Sequence, residues 1–78
     1  MVKLLLFASI REHLKAGSIH IEATTTGELL KKLKYSYPEI TELIESSVIS
    51  VNKVIINNPE HPICMDDQVA IIPPISSG

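Results

Sequence analysis

One segment of this 78-residue chain has the length and periodicity of a long amphipathic helix, and apolar strand-like runs flank it on both sides. Thr25 is followed three residues later by Glu28, a helix-start pattern in which both side chains satisfy free backbone N–H groups. The apolar residues of the segment recur at helical spacing, opposite a row of lysines: Leu29, Leu30, Leu33 and Tyr37. The helix should stop before Pro38, because a residue that precedes proline disfavours the α conformation. The fold must therefore be built around one main helix.

The apolar runs outside this helix predict four or five β-strands. Residues 2–8 are typical of a buried strand and residues 18–23 alternate like a half-buried strand, so the two together indicate a β-hairpin. Residues 9–15 separate them as a turn or short helical excursion, and Pro38 can open a second short helix that reaches residue 45. The later strand candidates are residues 48–51, 53–56 and 68–72, with a break at Asn52. This order predicts an α+β fold.

A single main helix can cover only one face of the predicted sheet. Strand alternation divides the first and last strands between two faces: Val2, Leu4 and Leu6 against Leu5 and Phe7, and Val69 and Ile71 against Ala70 and Ile72. Some of these apolar side chains should therefore stay exposed. Such a patch on a small domain usually marks a protein interface, and we favour that interpretation over scattered surface hydrophobes.

The C-terminal residues 73–78, of sequence PPISSG, are predicted to form a tail beyond a domain of residues 1–72. Pro73 and Pro74 have no backbone N–H, so the last strand cannot continue through them. Extended at about 3.3 Å per residue, the tail would reach roughly 20 Å from the sheet. Its small residues leave the terminal carboxylate unhindered, which indicates either a working carboxylate or an ordinary frayed terminus.

Composition narrows the classes of function. The length fits one domain, and a net charge of −2 argues against a nucleic-acid partner. No apolar run reaches the roughly 18 residues that span a membrane, and the apolar N-terminal segment lacks the features of a signal peptide. The single cysteine, Cys64, cannot form an intramolecular disulfide, so a cytoplasmic location is expected.

Few residues are candidates for catalysis or metal binding. His61 and Cys64 are one close pair, whereas structural zinc needs four converging ligands, so no metal site is predicted. Cys64 as a nucleophile would need His61 as its base, and we favour a loop cysteine without a catalytic role. Asp66 and Asp67 are typical of a turn before a strand. With three glycines and no glycine-rich loop, the chain is not expected to bind ATP or another cofactor by itself.

The element order, the chain length and four stretches of sequence together resemble one known family. These stretches are residues 2–12 (VKLLLFASIRE), the Val51-Asn52 pair, residues 61–63 (HPI) and residues 67–75 (DQVAIIPPI). Over nearly its whole length the chain resembles the molybdopterin synthase small subunit, a sulfur carrier of the ubiquitin-like β-grasp family. The resemblance implies a mixed sheet of four to five strands packed on one main helix, with an extended C-terminal tail.

The resemblance implies a sulfur carrier rather than a stand-alone catalyst. In that family an E1-like adenylating enzyme uses ATP and magnesium to convert the terminal carboxylate to an acyl-adenylate, which a sulfur donor converts to a thiocarboxylate. The tail then enters the large synthase subunit and delivers sulfur to precursor Z (cyclic pyranopterin monophosphate) during molybdenum cofactor biosynthesis. The expected partners are the adenylating enzyme and the large subunit, the latter in a heterotetramer.

The family's functional positions map onto residues of this chain. Gly78 matches the reacting glycine. The residues that match the inserted tail are Pro73, Pro74, Ile75, Ser76 and Ser77. The apolar surface that docks on both partners is matched by Phe7, by Ile72 and by either Ile55 or Ile56.

Ser77 departs from the family pattern, which ends in two glycines. Serine adds a side chain and lacks glycine's freedom at positive φ, so it could block the channel that the tail enters, slow adenylation or be tolerated. An engineered substitution, or a chain shortened by one glycine, would also explain it. Two alternatives therefore stay open: a carrier for another pathway, such as thiamine thiazole synthesis or tRNA thiolation, and a β-grasp interaction module whose tail is not activated. The Pro-Pro tail and the chain length lean against the thiazole branch.

Overall fold

The computed structural model describes residues 1–74 of the chain. The predicted order of two strands, a main helix and further strands is confirmed, with short helical segments between them. The elements are β1 (Val2–Leu6), α1 (Ala8–Leu14), β2 (Ser18–Ile21), α2 (Thr26–Ser36), a 3₁₀ turn (Pro38–Ile40), α3 (Thr41–Ser46), β3 (Val48–Val51), β4 (Val54–Ile56) and β5 (Val69–Ile72). No helix among these residues is long and apolar enough to cross a membrane.

The five strands form one mixed sheet in the order β2-β1-β5-β3-β4. β1 and β2 pair antiparallel, with Val2 opposite Ile21, which confirms the predicted hairpin. β1 and β5 lie side by side in parallel, with Leu6 opposite Ile71, while β3 pairs antiparallel with both β4 and β5. Because β1 and β5 run in the same direction, their C-terminal ends lie at the same end of the sheet.

The helices cover one face of the sheet and enclose the core. Alternation along β1 and β5 places Val2, Leu4, Leu6, Val69 and Ile71 on that covered face, all buried. The side chains that meet them from the helices include Ile10, Leu29, Leu33 and Ile44. No helix of residues 1–74 covers the opposite face of the sheet, so the predicted open face is present in this part of the chain.

The start of α2 follows the predicted capping pattern with one difference. The Thr25 hydroxyl accepts the backbone N–H of Glu28 at 3.2 Å. The Glu28 carboxylate accepts the backbone N–H of Thr24 at 2.6 Å, one residue before the expected position, and this bond lowers the pKa of the carboxyl group. The helix ends at Ser36, ahead of Pro38 as predicted.

Several predicted boundaries are corrected by backbone conformation. β1 ends at Leu6 rather than at residue 8, because Ala8 has a φ of 49° and opens α1. Residues 8–14 form a short helix that buries Ile10, which confirms the helical alternative of the expected turn or short helical excursion and moves its start to Ala8. β2 ends at Ile21 rather than at residue 23.

The end of the described chain bears on the predicted tail. β5 begins at Val69 and ends at Ile72, directly before the two prolines. Pro73 is buried against the domain and Pro74 is exposed. The other tail residues, 75–78, lie outside the described residues, so the proposed tail and the domain boundary stay predictions.

Candidate functional site

Four large apolar side chains of the described residues are exposed on the open face of the sheet: Phe7, Val48, Ile55 and Ile72. Phe7 is 43% exposed, Ile55 49% and Ile72 37%. Leu6 of β1 pairs with Ile71 of β5, and Phe7 and Ile72 are the next residues of the two parallel chains. Phe7 and Ile72 are therefore neighbours at the end of the sheet where both strands finish. Because β5 leads into Pro73, this exposed cluster lies at the root of the predicted tail.

A shallow depression of about 360 Å³ lies among these side chains. Its lining consists of Leu5, Phe7, Ser50, Lys53, Ile55, Gln68, Ala70 and Ile72. Strand register places Ser50 opposite Ile55 on β4 and opposite Ala70 on β5, so the three residues form one row across the sheet. The small side chains of Ser50 and Ala70 lie low in the row, and the larger apolar side chains rise around them. We call this surface the docking face.

Strand register also distinguishes the two isoleucines that sequence resemblance left open. Ile55 faces the depression, whereas Ile56 pairs with Ile49 and packs partly buried against the core. Adjacent residues of a strand point to opposite faces, so only one of the two can share a face with Phe7. The structure therefore places Phe7, Ile55 and Ile72 together and separates Ile56 from them.

Hydrogen bonds hold one end of the docking face in position. Asn52 and Gln68 exchange two bonds, from the Asn52 backbone N–H to the Gln68 carbonyl (2.8 Å) and from the Gln68 N–H to Asn52 Oδ1 (2.9 Å). Asn52 Nδ2 also donates to an Asp67 carboxylate oxygen at 3.1 Å. The other oxygen accepts the Cys64 N–H at 2.8 Å, and these two bonds, the Cys64 bond foremost, lower the pKa of Asp67. The turn after β3 is thereby tied to the start of β5.

Sequence reasoning missed three residues of this surface: Ser50, Lys53 and Gln68 had no assigned role on it. A signal for Lys53 exists, since Asn52 and Lys53 are the two residues between paired Val51 and Val54. Two-residue loops of this kind favour a tight hairpin, so strands β3 and β4 could have been joined in that register. The small residues Ser50 and Ala70 become neighbours only through the pairing of β3 with β5, and no local sequence pattern predicts that pairing.

The other candidate residues lie elsewhere. Cys64 is exposed, and the backbone around His61 is tied to the start of α2 through the bond from the Thr26 N–H to the His61 carbonyl at 3.1 Å. His13 approaches Glu39 at 3.9 Å, far from that loop in sequence. Within residues 1–74, no group of three or more His, Cys, Asp or Glu side chains converges on a point. Gly78 and Ile75, Ser76 and Ser77 lie outside the described residues.

Comparison with known proteins gives the relatives of this chain. The molybdopterin synthase sulfur carrier subunit of Dictyostelium discoideum is 38% identical over 81 aligned positions, which cover 97% of this chain and 94% of that protein. Small archaeal modifier protein 1 from Methanosarcina acetivorans has a TM-score of 0.82 at 23% identity, covering 99% of this chain and 95% of that one.

A third relative is a chain in the complex of subunits 1 and 2 of the molybdopterin-converting factor from Helicobacter pylori 26695. It has a TM-score of 0.73 at 23% identity and covers 99% of this chain and 97% of that chain. The two solved structures confirm the ubiquitin-like β-grasp fold. The ThiS family model matches residues 4–78, and with the 38% identity across nearly its whole length this chain belongs to the ThiS family.

Proposed function

We propose that this protein is the sulfur carrier subunit of molybdopterin synthase and that Gly78 is its reacting residue. The observation that carries the proposal is the position of the docking face, at the root of a tail that ends in a small residue. A partner seated on Phe7, Ile55 and Ile72 would receive the tail directly. The 38% identity to a protein named as this subunit supports the same role.

The proposed chemistry takes place on the terminal carboxylate. One oxygen of the Gly78 carboxylate attacks the α-phosphorus of ATP, held with magnesium by an adenylating enzyme, and pyrophosphate leaves. Hydrosulfide-level sulfur from the donor then attacks the acyl carbon, the bond from that carbon to the AMP oxygen breaks, AMP departs, and the product is a thiocarboxylate. Activation is needed because a free carboxylate is a poor electrophile, and AMP provides the leaving group. The carrier contributes the carboxylate and the docking face, while ATP and magnesium belong to the partner.

The second step is delivery of sulfur to precursor Z in the large synthase subunit. Inserting the tail into a partner pocket would exclude water and so limit hydrolysis of the thiocarboxylate. Apolar contact on the docking face provides the affinity for such a complex, since burial of apolar area is the main favourable term in most protein association. The Helicobacter relative, described as a complex of two subunits, supports an assembly of this kind, and a heterotetramer is the arrangement we propose.

Ser77 favours one alternative function. If the serine blocks entry to the adenylating site, the protein would use the docking face as an interaction module without sulfur chemistry. A carrier for another thiolation pathway would instead be activated normally and would differ only in its final acceptor.

Intact-mass measurement after incubation with the adenylating enzyme, ATP, magnesium and a sulfur donor tests the proposal. We expect a mass gain equal to the replacement of one oxygen by sulfur, mapped to Gly78. Deleting Gly78 should abolish sulfur transfer to the pterin while leaving the fold intact by circular dichroism. Undiminished synthase activity after this deletion would refute the carrier role.

Ser77→Gly is the matched variant for the tail. A mass gain in Ser77→Gly but not in the natural protein would mean that Ser77 alone prevents activation of an otherwise competent carrier. No gain in either protein would favour the interaction module, and a thiocarboxylate that the synthase does not consume would indicate another pathway.

A further inference from the structure

Lys53 occupies a backbone position that ordinarily selects glycine. It is the second of two residues joining β3 to β4, with a φ of 71°, and the preceding Asn52 has a φ of 53°. Positive φ at both positions is the signature of a type I′ hairpin turn, where Asn-Gly is the preferred pair. Lysine carries a Cβ that makes this conformation unfavourable, so Lys53 is a locally strained choice.

The hydrogen bonds of the neighbouring residue keep the turn in this conformation. Asn52 bonds through its backbone and side chain to Gln68, and its amide group reaches Asp67. The turn is thus anchored to β5 and cannot relax without breaking these bonds. Strained backbone persists where the surroundings over-determine it, and it clusters at functional sites.

The Lys53 side chain lines the depression of the docking face at the end where Gln68 precedes β5, whereas Phe7 lines the opposite end, next to Ile72. Its ammonium has no carboxylate within ion-pair distance in residues 1–74, where the two ion pairs are His13 with Glu39 and Lys34 with Glu45. Asp67, the acidic group tied to this turn, already accepts a hydrogen bond on each oxygen. Among the described residues, Lys53 therefore has no ion-pair partner and lies at the rim of an exposed apolar depression.

We infer that Lys53 is a specificity-determining residue of the docking face. Its partner would be a carboxylate of the synthase large subunit, placed next to an apolar side chain that enters the depression over Ser50 and Ala70. The inference rests on the proposed function, because it names the chemistry that the partner presents to this same face. A charge at the rim of an interface mainly sets the association rate and its dependence on salt, and it disfavours partners of like charge.

Association kinetics of the full chain with the large subunit, at low and at physiological ionic strength, test the inference. Lys53→Gly should associate about 3- to 10-fold more slowly at low salt, and the difference should shrink as salt rises. Lys53→Glu should show a larger loss, and Lys53→Arg, which keeps the charge, should stay within about two-fold of the natural protein. Since glycine relieves the positive φ, the melting temperature of Lys53→Gly should be equal or higher, so unfolding cannot explain its slower binding.

Lys31→Glu is the matched control, because Lys31 is an exposed lysine of α2, on the other side of the sheet. It changes the net charge as much as Lys53→Glu but should affect association far less. Equal effects of the two reversals would overturn the inference, since long-range net charge would then account for both. Unchanged rates for Lys53→Gly and Lys53→Glu, with the natural protein binding normally, would also overturn it and leave the proposed function standing. Failure of the natural protein to bind the large subunit would instead refute the proposed function together with this inference.

Discussion

Replacing Phe7 by alanine should weaken binding to the synthase large subunit by an amount that its exposure sets. A phenylalanine buries about 200 Å² when fully covered, so the 43% that is exposed in Phe7 leaves roughly 90 Å² for a partner to cover. At about 25 cal/mol per Å², covering this area contributes roughly 2 kcal/mol to binding. The dissociation constant of Phe7→Ala should therefore rise about 30-fold.

Titration calorimetry of the full chain against the large subunit measures this change, and a thermal melt of each variant checks the fold. Tyr35→Ala is the matched control, because Tyr35 is the more exposed aromatic residue, at 89%, but lies on α2 away from the docking face. If the docking face is used, Tyr35→Ala should leave the affinity unchanged. Phe7→Lys should bind more weakly than Phe7→Ala, because a docked partner would have to bury an unpaired ammonium.

Two outcomes would refute this reasoning. A Phe7→Ala protein that stays folded and binds within two-fold of the natural protein would show that the partner does not cover Phe7. An equal loss in Tyr35→Ala would show that exposed aromatic area in general, and not the docking face, governs association.

Two further predictions concern stability. Gly27→Ala should lower the free energy of unfolding by about 1–3 kcal/mol despite the better helix propensity of alanine, because its Cβ would lie 2.8 Å from the backbone oxygen of Pro59. Gly17→Ala, with no atom within 4 Å of the added Cβ and no positive φ, should be neutral or stabilising, and equal urea midpoints for both variants would contradict the packing argument. Bonds from backbone N–H groups hold the pKa of Glu28 and of Asp67 below the ordinary values of 4.5 and 3.8. The two ionised carboxylates therefore contribute fully to the free energy of unfolding at pH values above 4.5 and 3.8, respectively. This stabilisation is lost as the pH falls from those values through the lowered pKa of each folded group. The free energy of unfolding in urea should therefore depend less steeply on pH in this acidic range for the double variant Glu28→Gln/Asp67→Asn than for the natural protein. The same pH dependence in both proteins would contradict this.

Much of the architecture could be predicted from short-range sequence rules. The start of α2 at Thr25 and its end before Pro38 follow from capping and proline sterics, which act within a few residues. The alternation along β1 and into the residue after it, with Leu4 buried and Phe7 exposed, follows from the two-residue period of extended backbone. Residues 8–14 were harder to predict because α1 is short and buries Ile10 alone.

The docking face could not be predicted in full from local patterns, because it is formed by contacts between residues distant in sequence. The parallel pairing of β1 with β5 makes Phe7 and Ile72 neighbours, and the register of β3 selects Ile55 over Ile56. The sequence alone determined which segments form the main helix and the strands, and where the last strand ends, because backbone sterics and periodicity act locally. Only the tertiary structure decided which exposed residues meet around the depression and where Lys53 points, because strand order and register are set by packing of the whole sheet.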